Sequence, residues 1–479
     1  MNAPLASHDD ATQDDLNAAF TRQRQAYLAD PVPDYQARLQ HLRALARMIQ
    51  DHQEAIVQAI SDDFGNRARE ETLFCEFVVV LSDIKDAIKH LKSWMRPQRR
   101  RVDHSLYFGA RNRVIPQPLG VVGVLVPWNF PLNLSLAPLI GIFAAGNRAL
   151  VKMSDRSPRL TQLLIDICPS YFAADKLRFF ADDGMLGPHF SRLPFDHLVF
   201  TGSTATGRKV MANAAENLTP VTLELGGKAP AILAPDFPLE EAARRLLFVK
   251  LLNAGQICTT VDYLFVPEGT LDALVDAAKA IVHQRYPDLA SPDYTSIIDE
   301  TSYQRLQATL DDAEAKGARV IRLSQQGSDP ATRKFAPHLV LDVADDMQIM
   351  QREIFGPLLP VMTYREPQEV IDYINARPRP LALYPFSRDT ALVDRYIERI
   401  QSGGVSVNHA LLHVGQHDLP FGGIGDSGMG HYHGRDGFIT FSKLRPVYRQ
   451  GPFDSMKPLI PPYTKTTHKV LKLMQWLAR

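Results

Sequence analysis

From Val114 to Asn147 the chain carries no charged residue. A stretch that long lies either in a membrane or inside a folded core. Pro116, Pro118, Pro127, Pro131 and Pro138 interrupt it, with glycines between them. A lipid-facing helix has no partners for the backbone groups those prolines release. The run therefore reads as a buried strand, a turn and a buried helix, and no membrane span is expected. Its first part, LGVVGVLVP, is rich in β-branched residues, as in a strand covered on both faces.

ALVKMS, LRFFA and HLVFTGS repeat that theme, with helical segments between them. Strand alternating with helix implies an α/β fold with a doubly wound parallel sheet. PAILAPD, YLFVP, ARVIRLS and LPVMTY, after residue 227, imply a second α/β domain. The first hundred residues are helical, with Leu39, Leu42, Ala46, Ile49, Ile56 and Ile60 on one face and a second helix from about Thr72 to Trp94. MRPQRRRVDH reads as a solvated linker, and SLYFGARNRVIPQP as a strand or hairpin. The basic, amphipathic tail HKVLKLMQWLAR is expected to dock on its own protein, with a membrane surface or a partner as alternatives.

Lys plus Arg and Asp plus Glu both number 53, which argues against nucleic-acid binding and against a disordered polyelectrolyte. MNAPLASHDDATQDD lacks the basic and apolar regions of a secretory signal. Cys75, Cys168 and Cys258 are too few and too scattered for a disulfide framework or a metal site. A reducing, cytoplasmic setting follows.

Cys258 differs from the other two cysteines. In NAGQICTTVDY it sits among small polar residues, where the backbone can approach a ligand and a thiol can act as nucleophile. Glu224, in VTLELGGKAP, lies near the carboxyl end of an apolar strand, which is the ligand-binding end of an open α/β sheet. Burial would raise its pKa toward that of a general base; a salt bridge is the structural alternative. In PWNFP, two prolines fix Asn129, whose amide can donate to an oxyanion or cap the turn. FTGSTATGRKV passes from a strand through Gly202 and Ser203 to Gly207 at a helix start, where free N–H groups favour a phosphate. The spacing differs from G-x-G-x-x-G. Lys152 ends another strand within reach of a ribose or phosphate, and Asp155 follows three residues on.

Together with EIFGP (353–357) and PFGGIGDSGMGHYHG (420–434), these motifs resemble the aldehyde dehydrogenase superfamily in type, in order and in the 34-residue gap from Glu224 to Cys258. The likeness covers essentially the whole chain. The short N-terminus and the GFITFSK that follows the glycine-rich segment resemble the branch of fatty-aldehyde and dimeric aromatic-aldehyde dehydrogenases. Within it, DFGNRAREETLF, LVPWNFPLNL and SVNHALLHVGQHDLPFGG are most similar to the coniferyl aldehyde dehydrogenases.

The resemblance implies NAD(P)-dependent oxidation of an aldehyde, an aromatic phenylpropenal such as coniferaldehyde, to its acid. A medium- or long-chain aliphatic aldehyde is the second reading, and a non-catalytic protein that keeps the fold is a remote third. Cys258 would be the nucleophile, Asn129 with the Cys258 N–H the oxyanion site, and Glu224 the base that activates water. Lys152 would hold the adenosine ribose, Gly202, Ser203 and Gly207 would meet the pyrophosphate, and Glu353 and Phe355 would position the nicotinamide ribose. The family commonly has Glu at Asp155 and Pro at Met153. The shorter Asp155 leaves NADP beside NAD as a cofactor. Arg352, where a second acid is common, is expected to be a surface change. Phe130, Tyr263 and Phe441 are candidates for the substrate tunnel.

The implied architecture is a Rossmann-type cofactor domain (1–103 and 118–226), an α/β catalytic domain (227–443) and a small β oligomerisation extension (104–117 and 444–455). A C-terminal tail (456–479) follows. A homodimer is the implied assembly.

Overall fold

The computed structural model describes residues 8–477 apart from 183, 453 and 455. Residues 1–7 of the expected cofactor domain, 453 and 455 of the extension, and 478–479 of the tail lie outside the described residues.

The uncharged run forms a strand, Val121–Leu125, buried along its whole length, then a short turn and the helix Pro131–Ala145. Pro131 sits at the helix start, where its missing N–H costs nothing. Gly146, at φ 97°, ends the helix in the left-handed conformation that glycine tolerates best. Leu132, Leu136, Leu139, Ile142 and Phe143 are fully buried in the largest core cluster, at about 1.5–3 kcal/mol for each large side chain removed from water.

Val121–Leu125 lies inside a six-stranded sheet in the order Gly428–Met429, Val221–Leu225, His197–Gly202, Val121–Leu125, Arg148–Lys152, Leu177–Phe180. Its five longer strands are parallel and the short Gly428–Met429 strand is antiparallel. The chain runs outward from Val121–Leu125 to Leu177–Phe180 and returns on the other side at His197–Gly202. The strand order therefore reverses between Val121–Leu125 and His197–Gly202, which opens a crevice at the carboxyl ends.

A second sheet of seven strands runs Arg319–Arg322, His338–Leu341, Leu358–Tyr364, Tyr263–Pro267, Pro230–Leu233, Ala382–Phe386, Gly404–Val405. All its pairings are parallel except that of the outermost Arg319–Arg322. The third sheet is antiparallel: Gln98–Arg100, Arg111–Pro118 and Ser442–Arg449. The strand within SLYFGARNRVIPQP thus starts at Arg111, and its main partner comes from the far end of the chain.

The second N-terminal helix is longer than expected, and its winding changes. Arg69–Thr72 leads into a π-helical stretch, Leu73–Val78, before Val79–Trp94 resumes the α-helix. Such stretches re-aim side chains and often mark functional sites. This one carries Glu76. The tail forms the helix Lys465–Leu477. Thr467 bonds the carbonyl of Pro458, but Leu471, Leu473 and Trp476 stay exposed. The expected docking of its apolar face onto the chain is therefore not what the structure shows. Among the described residues no helix is long and apolar enough to cross a membrane.

Candidate active site

The turn after Val121–Leu125 is held from below. The Asn129 carbonyl accepts from Arg67 Nη1 at 3.0 Å and from Asn253 Nδ2 at 3.2 Å. The Asn129 Nδ2 donates to the Gln256 carbonyl at 3.2 Å. The amide thus faces the segment that carries Cys258. Arg67 pairs with Glu76 at 2.6 Å, and neither side chain is exposed. The other Glu76 oxygen accepts the N–H groups of Leu132 at 2.7 Å and Asn133 at 2.9 Å, which caps the Pro131–Ala145 helix. Arg67 also lies over the rings of Phe64 and Phe130. A buried ion pair repays its desolvation only when further groups are satisfied. Here those groups include the backbone of the Asn129 turn.

The Cys258 loop leaves the Leu239–Leu251 helix through three left-handed residues, Asn253 (φ 51°), Ala254 (φ 50°) and Gly255 (φ 75°). A Cβ at Gly255 would lie 2.4 Å from the Gly356 carbonyl oxygen, so this loop and EIFGP touch backbone to backbone. Gln256 laces the loop to its surroundings: Nε2 donates to the carbonyls of Asn253 and Ser296, and Oε1 accepts from the Ile298 N–H. Cys258 is partly exposed, whereas Cys75 and Cys168 are buried.

Burial pushes the Cys258 thiol up to about 12, and the carboxyls of Glu353 and then Glu224 add to that shift. Glu224 is 2% exposed and neither carboxyl oxygen has a hydrogen-bond partner. No salt bridge among the described residues involves it, and burial alone raises its pKa well above the carboxylate range. Glu353 is raised to about 8 by burial and then by Asp262, while the Gly227 N–H opposes the shift. Its carboxyl lies where a Cβ on Gly226 would stand. The hydroxyl of fully buried Tyr432 also feels both Glu224 and Cys258. Glu353 and Glu224 thus act electrostatically on Cys258, and Glu224 and Cys258 on Tyr432.

Phe130, Leu252 and Ile257 form a small apolar cluster beside the Cys258 loop, with Leu134 and Leu411 packed on it. Tyr263 and Phe441 are core residues instead: Tyr263 packs on Phe265 and Tyr373, and Phe441 on His197. Phe355 (φ 50°) stands edge-on to Trp128 at 5.4 Å.

At the crevice, Gly202 ends its strand and Ser203 accepts from the Thr206 N–H to cap the Thr204–Ala215 helix. Gly207 is buried, and a Cβ there would meet Leu225 at 2.5 Å. Its bare backbone lets the helix close on the Val221–Leu225 strand, so Gly202 and Ser203 rather than Gly207 front the crevice. Lys152 is buried and paired with Asp182. Asp155 is exposed, with Oδ1 accepting from Ser154 Oγ at 3.1 Å. Arg352 is exposed.

Sequence reasoning missed Arg67, Glu76, Asn253, Gln256, Tyr432 and Asp182. Glu76 did leave a signal, as the one charge within LFCEFV.

Residues 1–447 match the protein family described as "Aldehyde dehydrogenase family". The chain belongs to that family. A "Probable coniferyl aldehyde dehydrogenase" of Pseudomonas aeruginosa is 48% identical over 458 residues, covering 95% of each chain. A "Coniferyl aldehyde dehydrogenase" of Pseudomonas sp. strain HR199 is 44% identical and covers 96% of each. The solved structure "Substrate bound state of Staphylococcus Aureus AldH" superposes with a TM-score of 0.90 at 33% identity, covering 96% of this chain and 99% of that one. The site thus holds a thiol, an amide bonded to the same loop and an unpartnered carboxyl, groups whose chemistry includes addition to a carbonyl, donation to an oxyanion and, when ionised, uptake of a proton from water.

Proposed function

We propose that this aldehyde dehydrogenase oxidises an aromatic phenylpropenal such as coniferaldehyde to the corresponding acid (ferulate), with NAD as cofactor. One observation carries the reading: Glu224 is buried with no partner for its carboxyl and acts electrostatically on the Cys258 thiol, with the Asn129 amide bonded to the Cys258 loop. The substrate class rests on the names of the relatives at 44–48% identity and on the apolar cluster beside the loop.

The cofactor site fits a dinucleotide. Lys152, Gly202 and Ser203 stand at the carboxyl ends of parallel strands beside the strand-order reversal, with a capped helix start for the pyrophosphate. Glu353 and Phe355 would face the nicotinamide ribose. When bound, the nicotinamide supplies a hydride acceptor and a cationic ring. The Cys258 thiol loses its proton to solvent water as Sγ adds to the aldehyde carbon, which gives a thiohemiacetal oxyanion. Asn129 Nδ2 and the Cys258 N–H hold that oxyanion. With the hydride acceptor bound to take up the carbon-bound hydride, collapse of the oxyanion would leave a thioester on Cys258. In its ionised form Glu224 takes a proton from water, which adds to the thioester carbonyl; that proton then returns to the departing Cys258 Sγ, and the acid is released. Gly202 and Ser203 front the pyrophosphate, Gly207 keeps their helix in place, and Asp155 lies at the rim.

Segments 1–103 and 118–226, with five strands of the six-stranded sheet, form the cofactor domain, and 227–443, with the seven-stranded sheet, the catalytic domain, which lends Gly428–Met429 to the first sheet. Segments 104–117 and 444–455 form the extension. The working assembly is a cytoplasmic homodimer.

The test is reduced-cofactor formation with coniferaldehyde, benzaldehyde, hexanal and decanal, each with NAD and with NADP. Coniferaldehyde is expected to give the highest kcat/KM. A tenfold lead for decanal, about 1.4 kcal/mol of transition-state preference, would move the substrate to the aliphatic class. Cys258→Ala should abolish oxidation and still bind cofactor; turnover in that variant would refute the mechanism.

A further inference from the structure

Lys152, the residue with the ribose role, already has a partner. Its Nζ donates to Asp182 and, at 3.2 Å, to the Met153 carbonyl. Asp182 lies two residues beyond the Leu177–Phe180 strand, which pairs with Arg148–Lys152 so that Lys152 stands opposite Phe180. The ion pair therefore forms at the carboxyl ends of two neighbouring parallel strands, on the ligand-binding edge of the sheet. Both side chains are about nine-tenths buried, at 9% and 10% exposure. The second Asp182 oxygen accepts the N–H groups of Gly184 at 3.0 Å and Leu186 at 3.2 Å, which fixes the carboxylate. The backbone of Gly187 lies against the pair: a Cβ there would stand 3.9 Å from Lys152 Cε and 4.0 Å from Asp182 Oδ2, in van der Waals contact with both. Asp155, the acid to which the resemblance gives the ribose contact, is exposed and tied to Ser154.

We propose that Asp182 is the specificity-determining residue for the cofactor: it accepts from the adenosine ribose hydroxyls, neutralises Lys152, and excludes a 2′-phosphate. The proposal rests on the dehydrogenase reading above. A lysine at the ligand-binding edge of a sheet is a good phosphate ligand when unpaired. With a fixed carboxylate against it, a phosphate must displace a salt bridge and accept a like charge at contact distance. A neutral ribose meets neither cost, and its hydroxyls gain a charged acceptor. Negative charge at Asp182 thus separates NAD from NADP more sharply than Asp155 does at the rim.

The experiment is equilibrium binding of NADH and NADPH, read from intrinsic fluorescence, to the unaltered enzyme and to Asp182→Asn, Asp182→Ser and Asp155→Ala. Asparagine keeps an acceptor for Gly184 and Leu186, and melting curves check that each variant is folded. The unaltered enzyme should bind NADH at least about tenfold more tightly than NADPH. Asp182→Asn and Asp182→Ser should narrow that ratio about tenfold, chiefly by tightening NADPH, and the gain should shrink with added salt. Asp155→Ala should move the ratio less. Three results overturn the proposal: a tighter NADPH complex in the unaltered enzyme, an unchanged ratio in folded Asp182 variants, or a larger effect at Asp155. If neither reduced cofactor binds the unaltered enzyme, the dehydrogenase reading itself fails and takes this proposal with it.

Discussion

Cys258 is kept as a thiol by its own surroundings. With its pKa pushed up to about 12 by burial and by Glu353 and Glu224, the thiolate fraction at pH 7 is on the order of one in 100,000. Alkylation of the cofactor-free protein by iodoacetamide, followed at Cys258 by mass spectrometry, should therefore rise close to tenfold per pH unit from 7 to 10. A plateau below pH 8 would contradict this. Glu224 sets a second pH dependence. Its folded-state pKa lies well above the usual carboxylate value, so the folded chain holds a proton that the unfolded chain releases. Stability is then lost as pH rises above the ordinary carboxylate range. Glu224→Gln removes that loss, so its melting temperature should gain on the unaltered enzyme as pH rises above the ordinary carboxylate range. In turnover the same variant should lose about a hundredfold to ten-thousandfold in steady state, while one equivalent of reduced cofactor per site still forms in a burst. Both residues were legible in the sequence because each is wrong for its neighbours, a glutamate in a buried strand and a cysteine in a glycine turn. Arg67 was not legible, and Glu76 only as a lone charge in LFCEFV. Their work is done on Asn129 and on the Leu132 and Asn133 amides, more than fifty residues along the chain.

The left-handed run Asn253–Gly255 shows how an element can be invisible in composition and still decide the site. Asn253 tolerates positive φ, but Ala254 gains nothing from it. The conformation persists because Glu71 holds the Asn253 N–H and Gln256 bridges Asn253 to Ser296. Gly255 is the position without slack. A methyl group there meets the backbone of Gly356 and carries the strain of φ 75°. Gly255→Ala should cost about 1–3 kcal/mol of stability and should lower kcat more than it changes cofactor affinity, because Cys258 lies three residues downstream. Denaturant melts and steady-state kinetics would check both parts; equal losses in kcat and affinity would count against a local effect on Cys258. The parallel strands were legible because each is a dense apolar run. The Arg111–Pro118 pairing with Ser442–Arg449 was expected only from the resemblance, since its residues alternate weakly and the partner lies more than 300 residues away.

At the scale of the whole molecule, the three-stranded sheet is the part least able to stand alone. Ser442–Arg449 is mostly exposed or half-buried along its length, with Tyr448 at 49% exposure, and Phe108 in the neighbouring turn is 64% exposed. A sheet this small needs an apolar face packed against something. The two large sheets already have cores of their own. The exposed faces of these aromatics are where the proposed contact with a second copy would form. If the enzyme is a homodimer through this extension, a charge at Tyr448 must be buried without a partner, which costs several kcal/mol at an interface centre. Tyr448→Glu should then shift the mass seen in light scattering from twice the chain mass toward the 53.6 kDa of one chain. Melting should depend on protein concentration in the unaltered enzyme and much less in the variant. A dimer of unchanged stability in Tyr448→Glu would place the interface elsewhere on the molecule, and the exposed face of Lys465–Leu477, with Leu471, Leu473 and Trp476, would be the next surface to charge.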